Sequence, residues 1–238
     1  KIYDGQPFSY STNRIQYNFT GFQGNDENSV SVFRNAFTYA FYSVVDGERI
    51  ALGSNAPVNA GSYVVDMIWD DSNIAYPAAN YRLSDDNGII EEKFTIAKRY
   101  LGVSFSGNAD QNYDATYKVR EITITSLANT PNSGPIGEYE FDFINYAVEI
   151  TDNEFVYKLI GNGFDGYRNV GTYFFTGCLN PDADPSVYDN ANYEIYPEAF
   201  EYTNANWESE GYPDIGGGLV DDEGNRLIAP GKLNIHPY

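Results

Sequence analysis

The chain has 238 residues, enough for two ordinary domains that each bury a core. Its 34 Asp and Glu outweigh 14 Lys and Arg, a formal net charge of −20 that repels phosphate backbones and anionic lipid and so argues against nucleic acid and membrane surfaces as partners. One histidine, His236, and one cysteine, Cys178, argue against a Ser-His-Asp or Cys-His centre and a zinc site, and they exclude a disulfide within the chain.

Helical periodicity is almost absent. Alternation with period two and Gly, Asn and Asp punctuation run throughout, the pattern of an all-β chain. Tyrosine (22) and phenylalanine (15) are abundant, and rings with a wet hydroxyl suit half-buried strands. In chain order, strands are expected at Phe8 to Phe19, Phe37 to Val45, Ser62 to Trp69, around Tyr81 to Leu83, and at Ile89 to Ala97. Asp46-Gly47 reads as a hairpin turn leading to Arg49-Ile50-Ala51, and Asp86-Asn87-Gly88 as a turn before the fifth strand. A short hinge is expected near Arg99 to Asn108, with Leu101 to Phe105 opening the next run of strands. These follow at Thr116 to Ser126, Tyr139 to Ile150, Phe155 to Ile160, Thr172 to Thr176, Tyr193 to Ile195 and Lys232 to Ile235. Cys178, just after Phe174-Phe175, is expected to be a small buried apolar residue.

The landmarks repeat. Tyr3-Asp4-Gly5 returns as Tyr113-Asp114-Ala115, and Asn59-Ala60-Gly61-Ser62-Tyr63 as Asn169-Val170-Gly171-Thr172-Tyr173, both 110 residues later. Ala79-Asn80-Tyr81 returns as Ala191-Asn192-Tyr193, 112 later, and Lys93-Phe94-Thr95-Ile96 as Lys232-Leu233-Asn234-Ile235, 139 later. Four landmarks in one order imply two tandem copies of a domain, 1–99 and 100–238. The second copy is lengthened. From Tyr81 to Lys93 is 12 residues and from Tyr193 to Lys232 is 39, so about 27 residues are inserted within 196–231. Long loops on a repeat scaffold are where specific function is grafted.

An opening Tyr-Asp-Gly, a central Ala-Gly-Ser-Tyr, a later Asn-Tyr and a closing Lys-Phe-Thr-Ile resemble the MBG-type (YDG/YGX) bacterial domain. The likeness covers Ile2 to about Lys98. It covers the second copy more loosely: Ala115 stands for the glycine, and His236-Pro237 stand for Ala97-Lys98. That family occurs in tandem in large secreted and cell-surface bacterial proteins, many of them adhesins. The resemblance implies two tandem Ig-like β-sandwich-type domains, a structural or adhesive role without enzyme chemistry, and an extracellular, cell-surface or cell-wall location within a longer chain. Lys1, followed at once by a domain motif, fits a segment of such a chain.

Candidate sites are few. Trp207 in the acidic insertion, with Tyr202, Tyr212 and Glu208, is the aromatic cluster suited to stacking on a sugar ring of a host or environmental glycan or glycoprotein, the alternative being that Trp207 anchors its own loop to the domain. Trp69, ending a strand before Asp70-Asp71, reads as core or rim packing. No cofactor is required, and calcium is the metal the loops would suit. It takes carboxylate and carbonyl oxygens, which Asp182 and Asp184 offer at alternate positions and Asp221 and Asp222 offer in the insertion. The pairs Asp70-Asp71, Asp85-Asp86 and Asp221-Asp222 would suit a hydrolase only if two carboxyls faced each other across a cleft, and all fall at expected turns. Lys93 and Lys232, at matching places, are the lysines to consider for a Lys–Asn isopeptide crosslink.

Overall fold

The computed structural model describes residues 1–9, 19–70, 72, 74–84, 88–125, 133–136, 140–151, 154–161, 163–195, 227 and 231–238. The chain is all-β and divides into two compact units, Lys1–Lys98 and Arg99–Tyr238.

In the first unit, strands β1 (Phe37–Val45), β2 (Glu48–Gly53), β3 (Gly61–Trp69) and β4 (Ile89–Ile96) form one antiparallel sheet in the order β2-β1-β3-β4. The first hairpin closes through two residues, Asp46 (φ 51) and Gly47 (φ 83). Both are left-handed, so the turn's twist matches that of the strands it joins. Alternation decides the inner face: Phe37 and Phe41 of β1 lie beside Trp69 and Val65 of β3, and Tyr63 lies beside Phe94 of β4. Phe8 stacks on Phe94 with centroids 3.9 Å apart. A short helix, α1 (Val30–Arg34), follows a 3₁₀ turn at Asp26–Ser29 and buries Phe33.

The second unit has two sheets. β5 (Arg99–Phe105) lies between β11 (Tyr193–Ile195) and β7 (Ile122–Thr125). The larger sheet runs β6 (Asp110–Asn112), β12 (Gly231–His236), β10 (Gly171–Leu179), β8 (Phe143–Thr151) and β9 (Glu154–Leu159). Val103, Phe105 and Ile122 from the smaller sheet pack on Ala147, Phe175, Leu233 and Ile235 from the larger one. A second cluster joins Val148, Phe174, Cys178 and Leu227. β10 is therefore covered on both faces, and Phe174 to Cys178 are buried without interruption. Cys178 is a buried free thiol, as its place beside apolar neighbours suggests.

The frame recurs. β9-β8-β10-β12 has the order of β2-β1-β3-β4, and two of the repeated landmarks fall on matching strands: Gly61 and Gly171 open β3 and β10, and Lys93–Ile96 and Lys232–Ile235 lie in β4 and β12. In the first unit the opening segment also lies parallel to the closing strand, Ile2 bridging Ala97, and in the second Asp110–Asn112, which follows β5, pairs in parallel with Asn234–His236.

Several expected strands differ. The strand expected from Leu101 to Phe105 begins two residues earlier: Arg99 to Phe105 is β5, held by the Arg99 guanidinium donating to the Ser133 and Gly134 carbonyls at 2.8 and 2.7 Å. Among the described residues of Thr116 to Ser126, the strand is Ile122–Thr125, because Asp114 gathers the Thr116 amide and hydroxyl into a turn at 2.9 and 2.6 Å. Tyr81 to Leu83 joins no ladder. It follows a 3₁₀ turn, and Tyr81 packs edge-on to Phe33 at 5.1 Å instead. Residues 10–18 of the first expected strand lie outside the described residues, as does most of the insertion.

Candidate functional site

The repeated polar residues hold turns. Tyr63 donates its hydroxyl to the Asn59 carbonyl at 2.8 Å, and Tyr173 donates to Asn169 at 3.0 Å. The ring folds back over the glycine two residues before it: a Cβ on Gly61 or Gly171 would stand 3.2 or 3.0 Å from that hydroxyl. The motif Asn-x-Gly-[Ser/Thr]-Tyr is thus one device, since the glycine clears space for the ring that closes the turn. Burial raises the pKa of Tyr63. The aspartate of the opening motif has the matching role: Asp4 accepts the Gln6 amide and Lys1 Nζ at 3.0 and 2.6 Å, and Asp114 accepts Lys118 Nζ at 2.6 Å. Those bonds, Lys118 first, hold the Asp114 carboxyl well below the usual carboxylate range.

Two buried polar groups in the second unit were not apparent in the sequence. Arg120, 3% exposed, donates to the carbonyls of Ser106, Lys232 and Phe105 at 3.1, 2.7 and 3.3 Å. Asn190 donates to the Asp142 and Asn180 carbonyls and accepts the Asp142 amide. Nothing local in the sequence marks either, because every one of these partners is ten or more residues away.

The first unit also holds a cleft of about 570 Å³. Its floor is the inner face of the sheet, where Met67 pairs with Ile90 and Val65 with Glu92, so that Met67, Trp69, Ile90 and Glu92 are brought side by side. Phe19, Phe22, Phe33 and Tyr81 form the wall. The wall is tied together edge to face, Phe22 on Phe33 at 5.0 Å, and by Tyr81, whose hydroxyl accepts the Gln23 amide and donates to Asp26, each at 2.8 Å. The Gln23 amide favours the phenolate, but desolvation and Asp26 outweigh it and raise the Tyr81 pKa. Arg82 and Glu92 line the same cleft, both exposed and without an ion pair among the described residues. The Trp69 indole sits edge-on to Phe37 at 5.2 Å, and its Nε1 is shielded from water with no hydrogen-bond partner among the described residues.

Of the residues singled out from sequence, Trp207, Tyr202, Tyr212, Glu208, Asp221 and Asp222 lie outside the described residues. Asp182 and Asp184 lie in the loop after β10. There Asp184 accepts the Ser186 amide and hydroxyl at 2.8 and 2.7 Å, which lowers its pKa, and the Asp182 amide donates to Asn180. Asp70 binds Ser72 in the same way. Among the described residues no group of three or more His, Cys, Asp or Glu side chains could hold a metal ion. Lys93 is 79% exposed with Glu91 3.9 Å away, the opposite of the buried pairing an isopeptide crosslink needs. No described helix is long and apolar enough to cross a membrane.

No protein-family model, curated protein or solved structure matches the chain.

Proposed function

We propose that the chain is a non-catalytic repeat segment of a bacterial cell-surface or secreted protein, of the MBG type, and that it bears load as part of an adhesin stalk. The observation that carries this reading is the parallel pairing of the opening and closing segments of the first unit, with a like pairing in the second between the closing strand and Asp110–Asn112, the strand that follows β5. In the first, the Tyr3 amide donates to the Ala97 carbonyl at 2.9 Å and the Ala97 amide to the Lys1 carbonyl at 2.7 Å. In the second, the Tyr113 amide donates to the His236 carbonyl at 2.8 Å and the Asn234 amide to the Ala109 carbonyl at 2.7 Å. The Asp110 carboxylate adds bonds to Asn234 Nδ2 and His236 Nε2 at 2.9 and 3.0 Å.

Two adjacent parallel segments, one leading into a unit and one leaving it, are pulled along their length in opposite directions when the chain is under tension. Their hydrogen bonds then load together in shear instead of opening one at a time. The turn-holding use of the repeated Tyr and Asp residues fits a module selected to keep its shape.

Single-molecule force spectroscopy tests this. Pulling the chain by its ends should give two unfolding events, with unfolded contours of about 33 nm and about 48 nm at roughly 3.4 Å per residue for units of 98 and 140 residues. The force should clearly exceed that needed when the first unit is pulled apart through cysteines placed at Asp46 and Lys93, which peel strands instead of shearing them. Equal or lower force through the ends would sink the reading.

A further inference from the structure

We propose that the cleft of the first unit binds an uncharged pyranose ring, one sugar of a glycan. This goes beyond the stalk reading and uses residues that take no part in the parallel pairing. The volume of about 570 Å³ lies in the range of small-molecule sites, with room for one or two sugars. Phe19, Phe22 and Tyr81 give the cleft an apolar side suited to the C–H surface of a sugar, and the polar groups beside it are few.

Charge selects among ligands of this size. Arg82 and Glu92 share the cleft, are exposed, and pair with nothing among the described residues. A cation placed there meets the guanidinium, and an anion meets the carboxylate as well as the field of a chain of net charge −20. A neutral polyol meets neither penalty. Its vicinal hydroxyls accept from the guanidinium fork and donate to the carboxylate, which spends both unpaired groups at once. Trp69 lines the same cleft, with its indole N–H shielded from water, so the ring serves as a reporter of what enters.

The test uses the whole chain carrying Trp207→Phe, which leaves Trp69 as the only tryptophan of the two. The methyl glycosides of glucose, galactose, mannose and N-acetylglucosamine are titrated to about 100 mM while Trp69 emission is followed. A single ring of this size is expected to bind with a dissociation constant on the order of 1 mM. At least one glycoside should give a saturable change, and Arg82→Ala and Glu92→Gln should each weaken it about tenfold. Both side chains are exposed, so both variants should melt like the parent. The proposal is overturned by silence with every glycoside, by binding that ignores both substitutions, or by choline binding more tightly than any sugar. The last result would mark an aromatic box for organic cations instead. The pulling experiment depends on none of these residues, so either idea can fail alone.

Discussion

Ala115 occupies a position made for glycine. Its φ is 65°, and Gly5, at the same place in the first unit, has φ 69°. In both turns the preceding aspartate accepts the amide of the residue that follows, Gln6 at 3.0 Å and Thr116 at 2.9 Å, so the backbone is held in one shape whichever residue fills it. A side chain with a Cβ costs about 1–2 kcal/mol in left-handed backbone. Glycine returns roughly 0.4–1 kcal/mol of that through its freer unfolded chain. Ala115→Gly should therefore stabilise the second unit by about 0.5–1 kcal/mol, and Gly5→Ala should destabilise the first by a similar amount. In a unit of this size that is about 2–4 °C in melting temperature. Urea denaturation of the single variants and the double swap measures it, with the slope unchanged if only the native turn is affected. A lower midpoint for Ala115→Gly, or a neutral Gly5→Ala, would show that the two turns are not equivalent and refute the reasoning.

Other outcomes follow from the same structure. Gly171→Ala should cost about 1–3 kcal/mol because its Cβ would crowd the Tyr173 hydroxyl at 3.0 Å, and part of that cost should vanish in a Tyr173→Phe background, as a double-mutant cycle would read. Arg120→Met should cost about 3 kcal/mol by leaving buried carbonyls unpaired, seen as a fall in the denaturation midpoint. The Asp114 carboxyl is depressed by Lys118 and Thr116, so its stabilisation is full above the unfolded value of about 3.9 and fades as pH falls below it. Asp114→Asn should accordingly narrow the gap in stability between pH 7 and pH 3, and an unchanged gap would count against the assignment.

The parts of this fold that were readable in the sequence are those whose cause is local. Asp46-Gly47 can only be a tight turn, and Asn-x-Gly-[Ser/Thr]-Tyr carries a ring, its clearance and its acceptor within five residues. Phe37 and Phe41 of β1 mark a face that the strand buries for itself, and the apolar pair Phe174-Phe175 marks a strand covered on both faces. What escaped depends on distant partners. Asp110–Asn112 is a strand only because Asn234–His236 lies beside it, and three polar residues carry no periodicity. Tyr81 and Tyr193 look alike, yet one supports a 3₁₀ turn on Phe33 and the other starts a strand beside β5, because only the second has β5 to pair with. The cleft was invisible for a related reason. Phe19 and Phe22 lie outside regular structure, and Phe33 sits on a five-residue helix too short to show a period. The tryptophan that composition recommended, Trp207, lies outside the described residues, whereas Trp69, read as packing, lines the cleft.

The shared frame has an uneven consequence. Met67 and Trp69 floor the cleft of one unit, and Gly177 and Leu179 occupy those places in the other. At Gly177 even a methyl group would strike the Ile144 carbonyl oxygen, 2.2 Å from an ideal Cβ. Tyr81, half-buried at the wall, has as its counterpart Tyr193, 1% exposed and accepting the Ile136 amide at 3.0 Å. At this place one unit leaves a space open and the other fills it, while the strand order beneath is the same. The ladder therefore does not dictate the face: one strand order carries either an open cleft or a closed core, according to the side chains laid on it.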